Sequence, residues 1–93
     1  MTRSIPRVLI PWNPAEAMSV AEAARFARRN PRTMREWAAK FDIGRRVAGE
    51  WVISRVALLM LLENDTAALS AYLTGERAAE PVAEYFRRLP NVR

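Results

Sequence analysis

The chain has 93 residues, no Cys, no His, and 15 Lys+Arg against 10 Asp+Glu, a net charge of +5. That length suits one small domain, and the missing thiols and imidazoles exclude zinc-finger, haem and redox sites together with nucleophile–His catalysis. Three glycines leave no phosphate-cradling loop, and the longest apolar run, Val56 to Leu62, is too short for a membrane span or a signal peptide.

Residues 1–17 contain Pro6, Pro11 and Pro14 and no helical period, which predicts an extended N-terminal arm. Val8, Leu9, Ile10 and Trp12 are too apolar for a solvated tail and are expected to pack on the domain or on a neighbouring molecule. Ser19-Val20-Ala21-Glu22 is a capping box. Behind it Val20, Ala23, Ala24 and Ala27 mark one helix face. Asn30-Pro31 opens a second helix, with Asn at the N-cap and Pro at the first position. Met34, Trp37, Ala38 and Phe41 form its apolar face, and Arg32, Thr33, Arg35, Glu36 and Lys40 lie opposite. Gly44 is expected to end it.

The period then changes. Arg46-Val47 and Glu50-Trp51-Val52-Ile53 flank Ala48-Gly49 and read as two short strands around a tight turn. Ser54 caps a third helix through Leu62, apolar on nearly every side and so central to the core. Asp65 caps a fourth that ends at Gly75. Pro81 opens a short last helix whose Val82, Tyr85, Phe86 and Leu89 form one stripe. The simplest role for that stripe is a clasp on the core, and the alternative is a head-to-tail contact between neighbouring molecules. The expected organisation is an arm (1–17), a mainly α domain with a small β-hairpin (18–75) and a C-terminal helical tail (76–93).

The charge is unevenly placed. Residues 1–55 hold eleven cations and five acids, whereas residues 56–93 hold four and five. Fourteen of the fifteen cations are Arg, whose planar fork suits phosphate and guanine. Two short helices, a tight turn, a hairpin and a core helix follow the order of a winged helix-turn-helix DNA-binding domain, which lays its second helix in the major groove. Here that helix begins Arg32-Thr33-Met34-Arg35-Glu36. Arg can pair bidentately with guanine, Thr can meet a thymine methyl, and Glu can accept from cytosine N4. Arg32, Thr33, Arg35, Glu36 and Lys40 are therefore the candidate recognition residues. Arg28 and Arg29 in the turn, Arg45 and Arg46 in the hairpin, and Arg55 behind it are the candidate phosphate contacts. Trp37 and Trp51 read as core anchors rather than stacking platforms. Trp12 reads as core or as an intermolecular plug.

The runs SVAEAARFARRNPRTMREWAAKF and IGRRVAGEWVISRVALLMLL resemble the excisionase-type winged helix-turn-helix of the MerR-like superfamily over residues 18–62. Thr33-Met34-Arg35-Glu36-Trp37 and Gly49-Glu50-Trp51-Val52-Ile53 are the most specific pieces. Two features depart from the family pattern. Arg28-Arg29-Asn30 replaces a turn that usually holds Gly, and Glu50 stands where the wing is often basic, which argues against deep insertion of its tip.

The resemblance implies a recombination directionality factor, a DNA-binding protein of a mobile genetic element. Such a protein binds double-stranded attachment-site DNA cooperatively, self-associates head to tail on it, bends it, and promotes excision by a tyrosine or serine integrase. It implies no enzymatic activity, no cofactor, no metal and no membrane, and a cytoplasmic, nucleoid-associated location. The absence of an effector domain and of a long coiled coil favours this subtype. The alternatives are a small transcriptional regulator of the same fold and a phage assembly or terminase-type adaptor.

Overall fold

Four of the five helices in a computed structural model of the chain begin at a side chain that takes over an orphan backbone N–H; the structure describes residues 5–90. At the start of α1 (Val20–Ala27), Ser19 Oγ accepts from the Glu22 N–H at 3.0 Å. The Glu22 carboxylate accepts from the Ser19 N–H in return, at 2.9 Å. Asn30 Oδ1 accepts from the Thr33 N–H at 2.8 Å to open α2 (Pro31–Lys40). Ser54 caps α3 (Arg55–Leu62) through the Ala57 N–H, and Asp65 caps α4 (Thr66–Leu73) through the Ala68 N–H. The short α5 (Val82–Arg87) follows Pro81 without a side-chain cap.

The link from α1 to α2 is tight because Arg28 takes a left-handed conformation, φ 57°, and its N–H returns to the last-turn carbonyls of Ala24 and Arg25. Arg thus occupies a position where glycine is the usual solution. The end of α2 differs from expectation. The helix stops at Lys40, Asp42 supplies the positive φ, and Gly44 begins a strand. Gly44 is needed there for space, because a Cβ on it would lie 2.6 Å from the Val52 carbonyl oxygen.

The sheet has three strands rather than two. β1 (Ala17–Ser19), β2 (Gly44–Val47) and β3 (Glu50–Ser54) are antiparallel in the order β1-β3-β2. β2 and β3 form the expected hairpin, with Val47 opposite Glu50. Ala48 and Gly49 between them both have positive φ, 52° and 84°, as a two-residue type I′ turn requires. β1 pairs with the other side of β3, Met18 opposite Ile53. With only three residues it carries too little alternation to be read from sequence.

The core lies between the sheet and the helices. Ala23, Ala24 and Ala27 let α1 approach closely, and Val56, Ala57, Leu58 and Met60 bury α3. Val8 and Leu9 are buried in the same core, so this part of the proline-rich segment packs on the chain itself. The last-helix stripe does likewise. Val82 and Tyr85 are buried, and Phe86 and Leu89 pack against the core, so it serves as an intramolecular clasp. About half of the described residues are helical. Among them no helix is long and apolar enough to cross a membrane.

Candidate nucleic-acid interface

Helix α2 is held by one face. Met34 and Ala38 are buried, while Trp37 and Phe41 pack half-buried at the core margin with their rings edge to face. Trp37 and Trp51 are therefore margin residues, and the buried anchor of α2 is Met34. Arg32, Arg35 and Glu36, spaced three and four residues apart, share the outer face and are exposed, as is Lys40. Thr33 is half-buried.

The candidate cations fall into two groups. Arg28, Arg32 and Arg35 are exposed and make no side-chain hydrogen bond or ion pair among the described residues. Arg29, Arg46, Lys40 and Arg55 are held by the protein, whereas Arg45 is half-buried on its strand. Arg29 Nη1 donates to the Arg28 carbonyl at 3.1 Å, and its guanidinium lies 5.7 Å from the Trp37 ring centre. Arg46 Nη2 donates to the Gly49 carbonyl at 2.8 Å and stacks 5.6 Å from the Trp51 ring centre. Lys40 sits 5.2 Å from the Phe41 ring centre. Arg55, half-buried, lies 5.1 Å from the Phe26 ring centre. A held guanidinium still has donors to spare, because each carries five N–H groups. Arg45 and Arg46 are neighbours on a strand and point to opposite faces.

The paired acids are placed elsewhere. Among the described residues the close ion pairs lie in the second half of the chain: Arg87 with Glu80 and Glu84, and Arg88 with Glu63 and Glu84. There cations and carboxylates neutralise one another, and the pairing pulls the Glu84 carboxyl below its ordinary range. Among the described residues the first half contains no such pair. Its positive charge is left facing solvent.

An open groove of about 930 Å³ runs between β1, the first turn of α2 and the hairpin. Trp12, Arg35, Arg46, Val47, Glu50 and Trp51 are among its lining residues. It joins the outer face of α2 to the hairpin. Of the two sequence readings of Trp12, a core position is not what the fold shows, since it is half exposed on the groove wall.

Beneath this surface lies a polar cluster that sequence reasoning missed. Glu16 is fully buried and accepts from both the Ser54 hydroxyl and the Tyr72 phenol. Tyr72 in turn accepts from the Leu9 N–H at 2.8 Å, and the Glu16 carbonyl accepts from the Arg55 N–H. Burial pushes the Glu16 carboxyl above its ordinary range against the lowering effect of its two hydroxyl partners and of Arg77. Burial beside Glu16 also pushes the Tyr72 phenol up. The cluster ties the proline-rich segment to the start of α3 and to α4. No local pattern signals it, since its partners stand 38 and 56 residues from Glu16.

In comparisons with known proteins the chain matches no family model, no curated protein and no solved structure. Its functional reading rests on the residues described above.

Proposed function

We propose that the chain is a winged helix-turn-helix protein that binds double-stranded DNA sequence-specifically and acts as an excisionase, promoting integrase-mediated excision of a mobile element. In this reading α2 is the recognition helix and the β2–β3 hairpin the wing. The observation that carries DNA binding is the exposed face of α2. Arg32 and Arg35 stand there unpaired beside Glu36 on a helix anchored from behind by Met34, while Glu63, Glu80 and Glu84 in the second half pair with its own arginines. Unpaired arginines give up little on meeting phosphate or guanine, since no internal contact is broken. Glu50 at the exposed hairpin tip repels phosphate, so the wing approaches the DNA backbone through Arg46. The excisionase assignment rests on the resemblance over residues 18–62.

Titration of duplex DNA against salt tests DNA binding. Affinity should fall with a log–log slope near −0.9 per neutralised phosphate, with about four to six contacts per monomer. Arg35→Ala should cost about 1–3 kcal/mol and relax sequence preference, whereas Arg28→Ala should weaken all sequences alike. A salt-independent titration without affinity overturns the proposal. An excision assay with a matching integrase separates the subtypes: altered promoter output with unchanged excision identifies a transcriptional regulator.

A further inference from the structure

Trp12 is one of the largest exposed apolar side chains of the described residues, at 50% relative exposure, yet it does not sit on a loose tail. Val8 and Leu9 anchor the chain just before it in the core. The Arg77 guanidinium donates to the carbonyls of Arg7 and Ile10, at 2.5 and 2.7 Å. Just after it, the Asn13 carbonyl accepts from the Glu16 and Ala17 N–H groups, and Glu16 is locked by Ser54 and Tyr72. Backbone anchored on both sides of Trp12 fixes where the indole emerges on the groove wall, so less conformational freedom is lost on binding. The same groove is lined by Arg35 from α2 and Arg46 from the hairpin, with Val47 and Trp51 as apolar lining. Glu50 is the single acid among the described residues that line it.

We propose that this groove seats one sugar–phosphate strand of duplex DNA, with Trp12 as a contact contributed from outside the helix and hairpin. The inference rests on the DNA-binding reading above and deepens it. A DNA strand offers alternating apolar deoxyribose faces and charged phosphates. The groove lining combines apolar side chains with two guanidinium groups, and it is open rather than enclosed, as an extended chain passing through requires. It is also continuous with the exposed arginine face of α2. Trp12 packs its ring on deoxyribose and aims its indole N–H at a phosphate oxygen, so it contributes affinity without reading sequence.

Trp12→Ala and Trp12→Phe, each checked by thermal unfolding, test the assignment on the full chain. Trp12→Ala should weaken duplex binding about tenfold, equally on preferred and unrelated sequences, because backbone contacts carry no sequence information. The salt slope should stay unchanged, since no charge is removed. Trp12→Phe should fall between Trp12→Ala and the wild type, and a fluorine label on Trp12 should change its resonance when duplex is added. Wild-type affinity in Trp12→Ala with an unmoved fluorine signal overturns the inference and leaves the DNA-binding reading standing. Absence of duplex binding by the wild type overturns both. A wild-type oligomer that Trp12→Ala converts to monomer without DNA shows the groove to be an interface between copies, and overturns the inference as well.

Discussion

Glu16 works against its own charge. It is completely buried, one carboxylate oxygen takes both hydroxyl donors, and the other, Oε1, has no partner. Burial outweighs its partners and Arg77, so its carboxyl is raised. A carboxyl raised in the folded state supports stability fully below its ordinary value and loses that support as pH rises through the folded value. Glu16→Gln keeps an oxygen for Ser54 and Tyr72 but cannot ionise. Its stability relative to the wild type should therefore increase from about pH 4 to about pH 7, as read from denaturant midpoints across that range. A constant difference would place the charged form of Glu16 in a better-compensated site than its burial implies. Glu76 has the opposite sign. Its carboxylate accepts from the N–H groups of Arg77, Ala78 and Ala79, which lowers its carboxyl.

At the scale of elements, the hairpin shows what local sequence resolves and what it compromises. Ala48-Gly49 marks the turn, and the type I′ geometry forms, yet Ala48 carries a Cβ at φ 52°. Left-handed backbone costs an ordinary residue about 1–2 kcal/mol, and Asn tolerates it best among non-glycine residues. Ala48→Asn should raise unfolding free energy by about 1 kcal/mol in chemical denaturation. The helices were legible for the same kind of reason. Ser19, Asn30, Ser54 and Asp65 each cap within three residues of sequence, so their signal is complete in a short window. The missed element, β1, has the reverse property. Ala17–Ser19 becomes a strand only because residues 52–54 arrive beside it, and nothing within three residues foretells that pairing.

At the scale of the molecule, Arg77, between α4 and α5, clamps the N-terminal segment of the described chain. Besides the Arg7 and Ile10 carbonyls it donates to the Tyr72 carbonyl at 2.8 Å, and its guanidinium lies 4.0 Å from the Tyr72 ring centre. The principal extents of 38 × 31 × 26 Å and a radius of gyration of 12.4 Å are those of a chain folded to the ordinary density for its length, about 12 Å. Arg77→Ala should lower stability by about 2–3 kcal/mol, because several backbone carbonyls lose a charged donor at once. By freeing the segment that places Trp12, it should also weaken duplex binding. Equilibrium denaturation and titration of the same variant check both.

The sequence by itself determined the helices, the hairpin turn, the amphipathic division of α2 and the concentration of positive charge before residue 56, all properties of local period and composition. The tertiary structure alone decided which cations are free. Arg29, Arg46 and Arg55 look in sequence like Arg32 and Arg35, but each lies over an aromatic ring that the fold brings beneath it. It also decided that Trp12 faces a groove, that Glu16 is buried, and that Arg77 clamps carbonyls 67 and 70 residues away. Such contacts depend on the meeting of distant segments. Their energies come from burial and hydrogen bonding across the core, and no short stretch of sequence contains both partners.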